Sequence, residues 1–437
     1  MRILWLKSDL LLPLDKGGKL RSWHLMRHLA ARHDITYMSF ADSDQPRADL
    51  DGMREVAGRV EVIRRSDPQK GSLRFYADAA VHLLDPLPYA VGKYRSRAFR
   101  RRLSTVLSEQ RFDLIVSDFL VPIVNLPSRL PCPAVLFTHN VESEIWRRHA
   151  ETKSSTLAKA LYGIQFRRML RFEADALRRF DGVLAVSDAD RATFGRLYPN
   201  ATRNPVHVVP TGVDVQYFQS APSAEASREL VFTGSMDWLP NEDAMLYFCR
   251  EVLPAIRAAE PAVRLSIVGR APTLPVRRLA DDVGVRVTGR VDDVRPFVRD
   301  AAVYVVPLRI GGGTRLKIFE AMAMGRAVVS TSVGAEGLPV TSGKHLAIAD
   351  DPRAFAGAVV DLIRNVARRR EMERAARALV VDCYDWRAVA GELERALIQF
   401  ARVPSPQAAP GESLLPTTAA GQWAGGKTRG ADALLTK

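Results

Sequence analysis

The stretch Val303-Tyr-Val-Val-Pro307-Leu-Arg-Ile-Gly311-Gly312-Gly313-Thr314-Arg315-Leu-Lys317-Ile-Phe-Glu320-Ala-Met-Ala-Met-Gly325 reads as a strand, a glycine loop and a helix in succession. Val303–Val306 is a short β-branched and aromatic run of the kind that fills a buried strand. Gly311, Gly312 and Gly313 carry no Cβ, so a ligand can approach their backbone closely. Thr314 is placed to cap the helix that follows. A loop that feeds a helix N-terminus in this way offers free N–H groups and the positive dipole end to a phosphate. Arg315 and Lys317 fall in the first turn, where cations oppose the dipole; the placement makes sense if both face a diphosphate. Glu320 lies roughly two turns in, where its carboxylate could accept hydrogen bonds from vicinal hydroxyls such as those of a ribose. The alternative is an ordinary capped helix with its cations in solvent.

Working outward, the same beat of short apolar runs and longer amphipathic stretches fills the chain. Strands are expected at Ile3–Lys7, Ile35–Ala41, Val60–Arg64, Leu114–Ser117, Ala134–Phe137, Gly182–Val186 and Val206–Val209. A glycine-rich loop, Lys16–Lys19, follows the first of them, and helical patterns occupy Leu20–His33, Phe99–Gln110, Leu157–Phe180 and Asp188–Leu197. Near residue 205 the beat restarts, with strands at Leu230–Thr233, Val263–Val268, Val285–Thr288, Val303–Val306, Ala327–Ser330 and Leu346–Ile348. Strand and helix in alternation is the signature of a parallel sheet covered on both faces. The expectation is an α/β protein of two doubly wound, Rossmann-like domains, residues 1–205 and 206–385, with a cleft between them. A helix over 386–402 packs back toward the first domain. A Pro-, Gly-, Ala-, Ser- and Thr-rich tail, 403–437, reads as disordered.

With 437 residues, 47 % hydrophobic and 26 % charged, the chain can bury two sizeable cores, and collagen, coiled coil and global disorder are excluded. Charge is the unusual quantity: 63 Lys and Arg against 49 Asp and Glu, a formal +14. Residues 1–205 hold 34 of those cations and 23 of the carboxylates, so most of the excess sits in the first half. Anionic partners follow from it: nucleic acid, a phosphorylated small molecule or an anionic membrane surface. Nucleic acid is the poorest fit, since no zinc-finger, RNP or KH signature is present and the cations are not interleaved with an aromatic array. Three cysteines, Cys132, Cys249 and Cys383, neither suggest a disulfide scaffold nor share metal-ligand spacing, so a reducing, cytoplasmic setting and no metal are expected. The N-terminal apolar stretch is broken by Lys7 and Asp9, unlike a signal peptide, and no apolar run reaches membrane-spanning length.

Ligands of open α/β sheets bind beyond the carboxyl ends of the strands, which selects further candidates. His139 follows Ala134–Phe137 and either orders its loop or faces the cleft. Gly17 and Gly18, after the first strand, would let that loop close on a diphosphate, with Lys19 and Arg21 nearby. Gly234 follows Leu230–Thr233. Arg270 ends Val263–Val268, within reach of phosphate or of solvent. Gly289 and Val291 would present backbone to a nucleobase. Trp238 either walls the site or packs.

The run Gly311-Gly-Gly-Thr-Arg-Leu-Lys317 with Glu320 resembles the nucleotide-binding signature of the retaining glycosyltransferases of family 4, which have the GT-B fold. Phe137-Thr-His139-Asn, Ala185-Val-Ser187, Val209-Pro-Thr-Gly212-Val-Asp214, Val268-Gly-Arg270 and Gly289-Arg-Val-Asp292-Asp extend the resemblance over about residues 1–400. It is greatest for a subgroup that builds exopolysaccharides, including exosortase-associated sugar transferases. The resemblance implies a nucleoside diphosphate sugar held by the second domain. It implies an acceptor, a saccharide or a polyprenyl-diphosphate-linked one, held by the first. It also implies no metal and no dedicated base, with His139 near the donor sugar or the acceptor hydroxyl and Glu320 on the ribose. The sequence departs from the family in two places. The first Glu of the usual Glu-x7-Glu falls on Gly312, and the Arg and Lys that usually follow the first strand of the second domain are replaced by Gly234-Ser-Met-Asp-Trp238. Arg315 and Lys317 are the expected substitutes for that charge. A GT-B epimerase would show carboxylates on both faces of the cleft, and a homologue that binds nucleotide without turnover is the reading that the missing Glu favours. Two basic stretches, Lys93–Arg102 and Arg167-Arg168-Arg171-Arg178-Arg179 with Phe166, Leu170 and Phe172 between, suggest either an anionic membrane face at the inner side of the cytoplasmic membrane or solvated surface.

Overall fold

A computed structural model describes residues 1–14, 17–66, 72, 85–152, 155–202, 204–220, 226–310 and 316–402. The expected tail, 403–437, lies outside the described residues, as do Gly311, Gly312, Gly313, Thr314 and Arg315.

The first sheet contains β1 (Arg2–Leu6), β2 (Asp34–Asp42), β3 (Arg59–Arg65), β4 (Leu114–Asp118), β5 (Ala134–Phe137), β6 (Gly182–Ala185) and β7 (His207–Val208) in the order β3-β2-β1-β4-β5-β6-β7. The second contains β8 (Glu229–Thr233), β9 (Arg264–Val268), β10 (Val285–Gly289), β11 (Val303–Val306), β12 (Ala327–Ser330) and β13 (Ala347–Ile348) in the order β10-β9-β8-β11-β12-β13. Every pairing is parallel. Both orders are doubly wound, each reversing direction once: between β1 and β4 in the first sheet, and between β8 and β11 in the second.

Parallel sheets are buried on both faces, and their strands show it. In β1, Ile3 and Trp5 enter one core and Leu4 and Leu6 the other. The Ile3/Trp5 core is completed by the far end of the chain, because Trp386, Val389, Leu393, Leu397 and Phe400 of the Trp386–Ala401 helix belong to it. A Cβ on Gly182 would stand 2.6 Å from the Phe400 ring, so the close seat of this helix on β6 needs glycine there. The chain therefore crosses between domains twice, and the crossings touch. Val213 N–H donates to Tyr384 O at 2.7 Å, and Trp386 N–H donates to Val213 O at 3.3 Å. Trp386 also lies against Gly212 and stacks on His24 at 5.0 Å.

Three expectations change. The first sheet runs past residue 205 to Val208, since His207 and Val208 pair with Leu184 and Ala185. Gly17 and Gly18 are not loop: they open the Gly17–Leu29 helix, whose Lys19, Ser22, Met26 and Leu29 recur at helical spacing on its buried face. The apolar spacing over Ala244–Ala259, which in sequence reads as one helix, is divided between two, Leu239–Tyr247 and Leu253–Ala259, joined by a wider π turn at Phe248–Val252.

Candidate functional site

Both sheets point their carboxyl ends at one cleft. Ser187 follows β6 and Gly337 lies in the loop after β12, and a Cβ on Gly337 would come within 3.9 Å of the Ser187 Cβ. Loops beyond the strand ends of the two domains thus meet.

At the first switch point, β4 ends on Asp118, which has no exposed surface. Lys7, the residue after β1, places Nζ 2.9 Å from Asp118 Oδ1. His139 Nε2 is 2.7 Å from the same oxygen. Trp5 Nε1–H donates to Oδ2 at 2.9 Å, and Ser22 Oγ–H donates to Oδ2 at 2.5 Å. Burial opposes ionisation of Asp118, but Lys7, His139 and Ser22 outweigh it and hold the carboxyl below its usual range. Burial pushes the His139 imidazole down to about 3, against the pull of Asp118, so the ring is neutral at physiological pH. Phe119 stacks on His139 with centroids 4.0 Å apart and rings within 15° of parallel. Its own φ of 80° is a left-handed conformation that bulky residues rarely adopt, tolerated here at the rim of the site. Lys7 Nζ lies 4.5 Å above the Phe119 ring. Gly18 is confined by the same group, because a Cβ there would stand 3.3 Å from Phe119 and 3.5 Å from His139 Nδ1.

Lys19 and Arg21 take no place in the open part of this site. Lys19 is buried and donates to Pro13 O at 3.3 Å. Arg21 is fully buried on the Phe137 ring, donates to Val209 O, and is pushed down to about 9 by desolvation against Asp118 and Asp190. It ties the first helix to the start of the interdomain crossing. Their nearness to the first loop was legible in the sequence, and their burial was not.

At the second switch point the loops after β8, β9 and β10 interlock. Gly234 N–H donates to Val268 O at 3.0 Å and Gly269 N–H to Gly289 O at 3.2 Å. Gly269 has φ of 155°, and a Cβ on it would stand 1.7 Å from Gly234 O. Lys317, on the Leu316–Ala323 helix, reaches across β8: Nζ is 3.0 Å from Asn241 Oδ1 and 4.1 Å from the centre of the Phe232 ring. A Cβ on Gly234 would stand 2.8 Å from that ammonium. The cation therefore occupies the loop in which the family's usual basic pair is missing. Glu320, one turn on, is half-buried and accepts no hydrogen bond among the described residues. Burial pushes it up to about 7, with Lys317 pulling the other way. Gly289 has φ of 70°, Val291 is half-buried against the second core, and Arg270 is exposed beside the Ser235–Asp237 loop, its carbonyl accepting from Met236 N–H at 2.9 Å. Trp238 is 44 % exposed and so is not part of the core.

The structure thus gathers His139 and Gly18 at one switch point and Gly234, Lys317, Glu320, Gly289 and Arg270 around the other. Sequence reading missed Asp118, Asn241, Lys7 and Glu142. A carboxylate closing a buried strand was the available signal for Asp118; Lys7 was read only as a break in an apolar run. Glu142, which opens the Glu142–Thr152 helix just past His139, is pushed up to about 7 by burial and by neighbouring Glu173. Glu173 in turn accepts from the Glu142 and Ser143 amides at 2.9 and 3.1 Å and from Tyr198 Oη–H at 2.5 Å.

The two basic stretches are partly occupied. Arg102 pairs with Glu61 at 2.6 Å, Arg178 with Asp175 at 3.1 Å, and Arg179 donates to Pro127 O. Phe172 is core, and Leu170 packs against it. Exposed apolar surface lies instead on an earlier part of the Thr156–Arg179 helix. No described helix is long and apolar enough to cross a membrane.

Comparison with known proteins agrees with this architecture. Residues 17–217 match the model described as Glycosyltransferase Family 4, and residues 227–365 that described as Glycosyl transferases group 1. A 44.6 kDa protein in the cps region of Klebsiella pneumoniae is 22 % identical over 89 % of this chain and 97 % of its own length. The phosphatidyl-myo-inositol mannosyltransferase of Mycobacterium leprae is 32 % identical over 225 residues, which span 49 % of this chain and 58 % of that enzyme. Among solved structures, Anabaena HepE in complex with UDP and glucose superposes with a TM-score of 0.62 at 16 % identity, covering 91 % of this chain and all of HepE. Sucrose-phosphate synthase from Thermosynechococcus elongatus gives 0.63 at 18 %, over 91 % of this chain and 99 % of that one. Two parallel α/β domains around a cleft, with both halves matched in sequence, place the chain among the family 4 glycosyltransferases of GT-B fold.

Proposed function

We propose that the protein moves a sugar, with retention of anomeric configuration, from a nucleoside diphosphate sugar to a saccharide acceptor in exopolysaccharide or other cell-surface glycan synthesis. The observation that carries the reading is the placement of Lys317 against Gly234, which Gly269 interlocks, with Glu320 one turn further along the same helix. A cation over a tight glycine turn suits a diphosphate, and a half-buried carboxyl that accepts no hydrogen bond among the described residues suits ribose hydroxyls. Leaving-group charge develops on the diphosphate as the anomeric C–O bond breaks, and preorganised cations and backbone N–H groups stabilise it. Lys317, with Arg315 and the glycines 311–313, takes that charge in place of a metal. The neighbours solved with UDP and UDP-glucose support a nucleotide-sugar donor. In a screen of sugar nucleotides, wild type should release the nucleoside diphosphate from at least one. The Arg315→Ala, Lys317→Ala double variant should lose turnover while keeping its circular dichroism, and EDTA should not matter. Near-normal turnover in the double variant would end this assignment, and EDTA inhibition reversed by Mg²⁺ would contradict the metal-free part.

A lipid-linked acceptor at an anionic membrane is the finer part of the reading, in line with mycobacterial relatives named for a phosphatidylinositol acceptor. Leu157, Leu161 and Ile164 are 71 %, 37 % and 40 % exposed and share one stripe of the Thr156–Arg179 helix. Arg168 and Arg171 continue that stripe, and no Asp or Glu occurs between Glu151 and Glu173. An apolar edge followed by cations suits an anionic interface. Sedimentation with phosphatidylglycerol vesicles should be lost in Leu157→Glu, Leu161→Glu; equal sedimentation of variant and wild type would return the stripe to plain surface.

A further inference from the structure

The Asp118 cluster has a chemical consequence for His139. Lys7 and His139 converge on Oδ1, Trp5 and Ser22 on Oδ2, so the carboxylate accepts from four partners at 2.5–2.9 Å. An ionised carboxylate has no proton to give. His139 Nε2 must therefore be the donor in its 2.7 Å contact. A neutral imidazole carries one N–H, which leaves the lone pair on Nδ1. Nδ1 has no hydrogen-bond partner among the described residues, and it lies against Gly18, where a Cβ would stand 3.5 Å from it. The ring cannot easily turn to exchange its nitrogens. Phe119 covers one face at 4.0 Å, and Phe137 stands 5.1 Å away at 52°.

We infer that Asp118 is a positioning residue: it fixes His139 as the Nε2–H tautomer, so that Nδ1 accepts a hydrogen bond from a substrate hydroxyl. A ring in this state has no N–H left for a phosphate oxyanion, so the diphosphate belongs to the other domain and a hydroxyl to this one. The inference rests on the sugar-transfer reading only for the identity of that hydroxyl, on the donor sugar or on the acceptor.

The tautomer is read without any activity. Long-range ¹H–¹⁵N spectra of the ¹⁵N-histidine-labelled full chain at pH 7, with His139→Gln to assign the signals, should show a protonated Nε2 and a bare Nδ1. A protonated Nδ1, or a doubly protonated ring, overturns the inference whatever the enzyme does. In Asp118→Asn the carboxamide can donate as well as accept, and the preference for Nε2–H should be lost. Its kcat should fall by about 10²-fold, with KM for the sugar nucleotide changed by less than about threefold. Loss of both donor hydrolysis and transfer places the hydroxyl on the donor sugar; loss of transfer alone places it on the acceptor. Wild-type kcat in a folded Asp118→Asn overturns the inference. Lys7 would lose its counterion in that variant, so Lys7→Met, Asp118→Asn is the second form to test, and the wild-type spectrum decides the tautomer even if neither folds.

Discussion

At the carboxyl ends of β1 and β4 the charged groups satisfy one another: Asp118 accepts from Lys7, His139, Trp5 and Ser22. At the carboxyl ends of β8 and β11 the carboxyl is left out. Glu320 accepts no hydrogen bond among the described residues, and Lys317 reaches past its own helix to hang over Gly234. The first arrangement satisfies its charges internally and leaves one neutral lone pair, on His139 Nδ1. The second is incomplete, and a raised carboxyl marks the energy held back there. The difference fits the proposed division of labour, in which the first domain orients hydroxyls and the second binds charge. Completeness favours rigidity, whereas unpaired buried groups gain most when a ligand arrives.

The comparison can be broken most severely at Gly269. Its Cβ would overlap Gly234 O at 1.7 Å, so Gly269→Ala should separate the β8 and β9 loops and cost about 3 kcal/mol or more, with nucleotide binding lost. Thermal unfolding and calorimetry read both, and a variant that melts and binds like wild type would refute the interlock. Next in size, Lys317→Ala should weaken UDP or GDP binding by about 10–100-fold, read by calorimetry, and unchanged affinity would remove the ammonium from the binding site.

Gly212→Ala tests the crossing between the two regions. A Cβ there would stand 2.6 Å from the Trp386 ring, and the expected cost is about 1–3 kcal/mol by denaturant unfolding. An unchanged midpoint would show that Trp386 moves aside freely.

The smallest effect concerns pH. Glu320 stands near 7 in the folded chain and about 4.3 unfolded. Between these values the native state holds a proton that the unfolded state has released, so stability falls as pH rises through the window. Glu320→Gln should therefore gain on the order of 1–2 kcal/mol at pH 8 and nothing at pH 4. A gain at both would tie the effect to packing instead. His139 gives the opposite sign: its folded value near 3 lies below the unfolded one, so its contribution is lost as pH falls below about 6.5.

Much of this was legible in the sequence. The thirteen strands of the described residues follow from apolar runs punctuated at regular intervals, and Ala134–Phe137, Val303–Val306 and Ala327–Ser330 end where the alternation of composition says they should. Glycines announced the second site because close backbone approach leaves a compositional mark. The first site left almost none. Lys7 and Asp118 are 111 residues apart, and only the placing of β1 beside β4 makes them an ion pair. Lys7 looked like an interruption of an apolar segment because a buried charge and an exposed one are written with the same letter. Gly17 and Gly18 looked like loop because glycine disfavours helix; the crowding of position 18 by Phe119 and His139 is a tertiary demand that overrides propensity. Arg21 looked like phosphate-binding charge, and its burial on Phe137 depends on a strand that arrives more than a hundred residues later.

Calorimetric titration of the wild-type chain and Glu320→Ala with UDP and GDP tests most directly whether the second switch point is the incomplete half that a nucleotide completes. The account predicts saturable binding of at least one nucleotide by wild type and affinity at least about tenfold lower in the variant. Equal affinities in the two proteins, or no binding of either nucleotide by wild type, would contradict it.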